Sequence, residues 1–389
     1  MSEPGYTEAL RLVRAGEGGL ERVLAAACAP LPAWDPVVYL ADFSRQVLLP
    51  LSAGAAAEEV AGTLAGRAFS SGRSVTSDQD GIVRVWVPLI EQTSRTGVLA
   101  LTMPRAERDQ LTQAELLGEF VGLIVAALGR VSDIPHVRRW TKPMSLPACM
   151  QWDLLPPWTA SFSGALVAGA LEPAYDVAGD AFDYAADEGT LHFSIIDGMG
   201  HGLGSTVLAG LTVGAYRHAR RRRATIQDIH TAVDQALVGY YSDASFATGI
   251  IGTLALGTGR LEWSCAGHPP PLLLRGRKVV AELENEATLP FGLGGSPVLG
   301  TCDLEPDDAI LLYTDGVTEA RAADGDLFGL ARLTDLVERE AASGQPPEEL
   351  LRRLVRALLD HQAGGLRDDA TLLLLRWAGT GPAVTGLTS

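Results

Sequence analysis

Four aspartates in the second half of the chain each stand at the mouth of an apolar strand or in a tight glycine turn, and this constrains the fold more than any other feature. Asp180 follows Gly179, Asp197 closes Phe193-Ser194-Ile195-Ile196, Asp315 closes Ile310-Leu311-Leu312-Tyr313-Thr314, and Asp368 precedes Asp369-Ala370-Thr371-Leu372-Leu373. A carboxylate at the end of a buried strand loses several kcal/mol of hydration unless it is paired or bound to a cation. No matching set of strand-end Lys or Arg is present to pair with all four. Divalent metal meets the requirement, and an all-oxygen ligand set selects Mg2+ or Mn2+ over zinc. Gly198 and Gly200 after Asp197, and Gly316 after Asp315, let the chain turn in conformations closed to other residues. Either Asp-Gly pair alone is an ordinary turn. Four such sites in one chain require distant strand ends to converge.

With 389 residues the chain exceeds one ordinary core, and two domains are expected. After an N-terminal segment, 1–17, residues 18–130 read as an α+β unit. It has a helix over 20–29, strands over 36–40, 46–50, 83–89 and 96–103, and a closing helix over 111–128. In that last helix Leu116, Phe120, Leu123, Ile124 and Ala127 recur at helical spacing and predict the buried face. Residues 131–160 contain Pro135, Pro143, Pro147, Pro156 and Pro157, which forbid one continuous helix and predict a linker with room for a short helix over 148–155. From 161 to 377 the pattern is β-rich. Strands are expected over 164–171, 190–196, 247–256, 260–266, 271–274, 309–314 and 371–376, and helices over 203–220, 226–242, 330–341 and 347–361. Residues 378–389 read as a loose tail.

Charge and cysteine usage narrow the partners. A net charge of −16 disfavours nucleic acid and anionic lipid, so neither nucleic acid nor membrane is expected as a partner. The contrary run Arg220-Arg221-Arg222-Arg223 follows an apolar helical stretch and reads as its solvated end, where cations complement the helix dipole. Cys28, Cys149, Cys265 and Cys302 are scattered and form no CxxC pair, so they read as small core residues. The start of the chain has no secretory pattern, and no apolar run approaches about 18 residues. A cytoplasmic protein is expected.

The segments Gly179-Asp180-Ala181-Phe182-Asp183-Tyr184, Ile196-Asp197-Gly198-Met199-Gly200-His201-Gly202, Phe246-Ala247-Thr248, Ala266-Gly267-His268-Pro269-Pro270-Pro271-Leu272, Leu312-Tyr313-Thr314-Asp315-Gly316-Val317-Thr318-Glu319-Ala320 and Asp368-Asp369-Ala370-Thr371-Leu372 resemble, in order, the motifs of SpoIIE/RsbU-type PPM phosphatases. They span about 160–377, the whole catalytic domain of that family. The resemblance implies an α+β fold, with a PPM-type α-β-β-α sandwich as the catalytic domain. It implies that Asp197 bridges two Mn2+ or Mg2+ ions, with the Gly198 carbonyl on one of them. Asp180 would help hold the first ion, and Asp315 and Asp368 the second. Asp369 replaces Asp368 if the register is off by one, and Asp183 supports the shell. Two cations roughly 3.5–4 Å apart activate a water for in-line attack on phosphorus and neutralise the phosphoryl oxygens. In keeping with this, the chain has neither a Cys-x5-Arg loop nor a Walker-type Gly-x4-Gly-Lys-[Ser/Thr].

Two positions depart from the family. Met199 stands where eukaryotic members have a His that resembles a leaving-group acid; His201 is the candidate substitute, with a structural hydrogen bond in the turn as its other reading. Ala178 stands where the family usually has Gly. His268, followed by three prolines, reads as a loop anchor in preference to a catalytic group, and Glu319 as a residue that ties its turn.

Upstream, Gly66-Arg67-Ala68-Phe69-Ser70-Ser71-Gly72-Arg73-Ser74-Val75, Val87-Pro88-Leu89-Ile90 and Gly97-Val98-Leu99-Ala100-Leu101 resemble a GAF domain over most of 18–130. This implies a sensor or dimerisation module with a small-molecule or protein input. Gln151-Trp152-Asp153-Leu154-Leu155-Pro156 resembles the Leu-Leu-Pro switch segment that precedes SpoIIE-type catalytic domains. The function implied is a homodimeric, metal-dependent serine/threonine protein phosphatase. Its expected substrate is a phosphorylated STAS-type anti-anti-sigma protein in a partner-switching pathway. The rival readings are a scaffold that binds a phosphoprotein without turnover and a ligand-sensing GAF switch.

Overall fold

In the computed structural model, which describes residues 3–15, 19–51, 54–91, 94–172, 175–176, 179–240, 245–286, 288–362 and 368–379, the chain parts into two units between Pro143 and Met144. The first unit runs α1 (Glu3–Ala15), α2 (Gly19–Cys28), β1 (Trp34–Ala41), β2 (Val47–Pro50), β3 (Glu58–Glu59), α3 (Leu64–Ser71), β4 (Val75–Gln79), β5 (Ile82–Glu91), β6 (Ser94–Met103), α4 (Arg108–Gly129) and α5 (Ile134–Val137). Its strands form one antiparallel sheet in the order β3-β2-β1-β6-β5-β4. Alternation splits the side chains between two faces. Val83, Val85, Val87, Leu89, Leu99 and Leu101 pack with α1, α2 and α4, while Val37, Tyr39, Val98 and Ala100 pack with α3. The 1–17 segment thus holds a docked helix, with Ala9 and Leu12 in the core.

The buried face of α4 matches the expected one only at Ile124, with Phe120 half-buried against the core. Ala114, Leu117, Val121, Ile124 and Val125 are buried, whereas Leu116 and Leu123 are 41% and 54% exposed. Counting large apolar residues overlooked Gly118 and Gly122. A Cβ on Gly118 would lie 2.5 Å from Val87 Cγ1, and one on Gly122 would lie 2.9 Å from the Ile90 carbonyl oxygen. These glycines let the helix axis approach β5, and the face shifts by one residue, about 100°. Among the described residues α4 is also the one helix long and apolar enough to cross a bilayer by length and composition; its buried residues lie in this core.

The proline-rich 131–160 stretch is divided between the units. α5 belongs to the first, and α6 (Leu146–Leu154) and β7 (Thr159–Phe162) open the second. Ser145 starts α6 by accepting from Ala148 N at 3.3 Å. There follow β8 (Ala165–Glu172), β9 (Asp180–Asp187), β10 (Thr190–Gly198), α7 (Leu203–Arg221), α8 (Ile226–Tyr240), β11 (Ala247–Ala255), β12 (Arg260–Ala266), β13 (Leu272–Arg275), β14 (Lys278–Glu282), β15 (Leu299–Asp303), β16 (Ala309–Tyr313), α9 (Asp315–Thr318), α10 (Gly329–Ala342), α11 (Pro347–His361) and β17 (Ala370–Trp377).

Two antiparallel sheets, β15-β12-β11-β10-β9 and β14-β13-β16-β17-β8-β7, face each other across Phe182, Phe193, Ile195, Trp263, Ile310, Leu312 and Leu373. Helices α7 and α8 cover the first through Leu208, Val213, Ile229 and Val233, and α10 and α11 cover the second through Leu333, Val337, Leu351 and Leu354. This is the α-β-β-α sandwich. Strand β9 was not expected, so Asp180 opens a strand. Ala178, the last residues of the 226–242 helix and most of the 378–389 tail lie outside the described residues.

Candidate active site

Strand alternation decides which carboxylates meet. On β10, Leu191, Phe193 and Ile195 face the inter-sheet core, so Asp197 is next on that face. On β9, Phe182 and Tyr184 face it, and Asp180 shares their parity. The antiparallel register sets Asp197 directly opposite Asp180. Like charges so placed repel. In the facing sheet Ile310 and Leu312 put Thr314 on the inner face, and Leu375 and Leu373 put Thr371 and Asp369 there. Thr314 N donates to Thr371 O at 3.1 Å, and Thr371 N donates to Thr314 Oγ1 at 3.0 Å. Across the gap Thr314 Oγ1 donates to Asp180 Oδ2 at 2.7 Å, and Asp180 N donates to Asp369 Oδ2 at 3.1 Å.

At this end of the sandwich lies an open cleft of about 400 Å³, lined by Asp197, Met199, Gly200, His201, Phe246, Thr248, Asp315 and Asp368. Burial, then the charges of Asp197 and Asp369, push the Asp180 carboxyl well above its ordinary range. Burial with Asp315 and Asp368 raises Asp197 to about 7, and burial above all raises Asp369 to about 7. Burial, Asp368 and Glu319 raise Asp315. Among the described residues no Lys or Arg lines this cleft. Asp197 is common to two overlapping groups, Asp180–Asp197–Asp369 and Asp197–Asp315–Asp368. Neither is a finished ligand cage, since no three His, Cys, Asp or Glu side chains among the described residues form a ready-made metal set. An all-oxygen cluster whose members raise one another fits a hard divalent cation, which would relieve the repulsion.

The turn after Asp197 works by two different means. Gly198 is still in β10 and is there for space: its N donates to Gly179 O at 2.9 Å, and a Cβ would lie 2.9 Å from Ser205 O. Gly200 and Gly202, at φ 90° and 77°, supply the left-handed backbone. The Gly202 carbonyl accepts from Ser205 Oγ at 2.9 Å and Thr206 Oγ1 at 3.1 Å, which fixes the start of α7. Gly316, expected as a turn residue, has no positive φ; it too provides space, here for the Asp369 carbonyl.

His201 stands exposed on the rim and makes no hydrogen bond among the described residues, so a structural bond in the turn is not what holds it. His268 is buried with Nδ1 2.9 Å from Thr248 Oγ1, and burial drives its pKa down to about 3. It is a neutral anchor. Asp183 does not support the cluster. It lies on the other face of β9, 2% exposed, and accepts from Arg217 Nη2 and Arg220 Nη1, both at 2.7 Å. Arg220, expected in a solvated run, is therefore 10% exposed at its side chain and ties α7 to β9.

Gln151 was missed. Its Nε2 donates to Asp180 O at 2.6 Å, bringing α6 onto the cluster. Thr314 and Thr371 were quoted within motifs without a role, although Thr314 shares the parity of Ile310 and Leu312.

Residues 187–378, within the second unit, match the family model for stage II sporulation protein E, SpoIIE. The chain is similar to Protein IcfG of Synechocystis sp., 24% identical over 261 residues, or 59% of this chain and 39% of that protein. It is similar to the phosphoserine phosphatase RsbU of Bacillus subtilis, 27% identical over 225 residues, or 54% of this chain and 63% of that protein. It thus spans less than two thirds of either relative. The SiaA PP2C domain of Pseudomonas aeruginosa shares the fold, with a TM-score of 0.51 at 22% identity over 59% of this chain and 94% of that structure.

Proposed function

We propose that this protein, whose residues 187–378 match the SpoIIE family model, is a divalent-metal-dependent phosphatase of phosphoserine or phosphothreonine in proteins. The observation that carries the proposal is the convergence of Asp180, Asp197, Asp315, Asp368 and Asp369 beside one cleft whose lining, among the described residues, holds no Lys or Arg. We read Asp197 as the shared ligand of two Mn2+ or Mg2+ ions, with Gly198 lending its carbonyl. Asp180 and Asp369 belong to one side of it, and Asp315 and Asp368 to the other. Such a pair supplies an activated water and neutralises phosphoryl charge. The chain supplies the rest. Met199 and Phe246 form an apolar part of the cleft wall, and His201 on the rim is the candidate to protonate the leaving serine or threonine oxygen.

That a similar protein is a phosphoserine phosphatase supports the substrate class. The substrate we infer is a phosphorylated STAS-type anti-anti-sigma protein. The first unit is read as a GAF-like sensor or dimerisation module over 18–130, in a homodimer, with 131–160 as the switch segment. Purified full-length protein with Mn2+ is expected to release phosphate from p-nitrophenyl phosphate and from a phosphoserine protein, and Asp197→Asn to lose at least about 10²-fold in kcat. Undiminished turnover by Asp197→Asn sinks the reading, and two bound Mn2+ ions without turnover favours the scaffold.

A further inference from the structure

Asp180 is gripped by residues that carry no assigned role. Thr314 and Thr371 are both 0% exposed and both face the inter-sheet gap. The Thr314 hydroxyl makes two bonds at once, donating to Asp180 Oδ2 at 2.7 Å and accepting from Thr371 N at 3.0 Å. A hydroxyl has one proton to give. With a backbone N–H fixing its lone pair, that proton is committed to Asp180. The Thr371 hydroxyl oxygen is also buried, and no hydrogen-bond partner among the described residues claims it. A second uncommitted donor therefore sits on the residue whose amide holds the Thr314 hydroxyl.

We propose that Thr314 and Thr371 are positioning residues which hold Asp180 by Oδ2, leave Oδ1 for a cation, and tie it to the strand ends that carry Asp315 and Asp368. Thr314 immediately precedes Asp315, and Thr371 follows Asp369, whose carboxylate holds the Asp180 amide. Each strand end that delivers a cleft carboxylate thus also orients the carboxylate behind it. Partners of this kind fix ligand geometry and change metal affinity when removed. The inference rests on the reading that this cluster binds divalent cations.

Mn2+ binding to the full chain, measured by calorimetry and by the paramagnetic resonance of free Mn2+, tests it without reference to turnover. Wild type is expected to take up two ions. Thr314→Val, which keeps the shape and removes the hydroxyl, is expected to weaken one site about 10- to 100-fold while the other stays within about 3-fold. Thr314→Ser, which keeps the hydroxyl, is expected to stay within about 3-fold at both sites, and Thr371→Val to weaken the same single site by a smaller factor. Unchanged affinities in Thr314→Val, or Ser no better than Val, overturns the proposal. Should Thr314→Val lose its near-ultraviolet dichroism, Thr371→Val decides, and wild-type affinities there overturn it. If wild type itself takes up no Mn2+, or Asp197→Asn binds as wild type does, the phosphatase reading falls and this inference with it. Two sites in wild type that ignore the threonines remove the inference alone.

Discussion

Replacing Gly316 with Ala puts a methyl group where another stretch of backbone already lies. A Cβ there would be 1.8 Å from the Asp369 carbonyl oxygen and 2.9 Å from its carbon. Ordinary contact needs about 3.5 Å, so the two strand ends must part by about 1.7 Å. That parting acts on the 3.1 Å Thr314–Thr371 backbone bond and the 3.0 Å bond to Thr314 Oγ1. Overpacking costs about 1–3 kcal/mol, and each of the two weakened buried hydrogen bonds about 0.5–1.5 kcal/mol, so a loss of roughly 2–6 kcal/mol is expected. Urea unfolding followed by circular dichroism measures it. The same movement separates Asp315 from Asp368, and misplacement by about 1 Å costs on the order of 10²-fold in rate. Turnover of p-nitrophenyl phosphate by the folded variant reads that loss. Gly200→Ala is the contrast: no atom lies within 4 Å of its Cβ, and strain from φ 90° alone predicts about 1–2 kcal/mol. If Gly316→Ala unfolds within about 0.5 kcal/mol of wild type and keeps wild-type Mn2+ affinity, close approach is not why Gly316 is there.

Asp183→Ala takes the carboxylate partner from Arg217 and Arg220 of α7 and is expected to cost about 3–5 kcal/mol in urea unfolding while Mn2+ affinity holds; an unaltered midpoint would contradict the buried pairing. Asp197 and Asp369, raised to about 7 in the folded protein against about 3.9 unfolded, hold protons that the unfolded chain has released. Metal-free stability from these groups is therefore present below about pH 4 and falls as pH rises towards 7. A cation displaces those protons, so the rise in Tm on adding Mn2+ should be larger at about pH 8 than at about pH 5.5. A rise independent of pH would refute the clustered carboxylates. In the first unit, Leu117→Ala should cost about 2–5 kcal/mol and Leu123→Ala under about 0.5 kcal/mol, and the reverse order would restore the expected face of α4.

How much could be read beforehand depended on whether the signal was local. Apolar runs bounded by Asp, at the end of β10 and β16 and at the start of β17, located these strands to within a residue or two, because a half-buried strand writes its alternation into consecutive positions. β9 escaped because Ala181, Ala185 and Ala186 dilute that alternation, so Asp180 looked like a turn residue. The Arg220 run and Asp183 looked independent, being 37 residues apart, and helix packing made them partners.

The sequence by itself determined that carboxylates would stand at strand ends with no matching set of strand-end Lys or Arg, and that the second unit would be β-rich with helices, while the sandwich came from the motifs' family resemblance. The first two follow from composition and period within short windows. Tertiary structure alone decided which atoms serve which. The register that sets Asp180 against Asp197 across β9 and β10, the hydroxyl of Thr314 reaching over from the other sheet, and the carbonyl of Asp369 filling the space at Gly316 are all contacts between residues distant in the chain. Their geometry is fixed by how two sheets pack face to face, which no local pattern encodes.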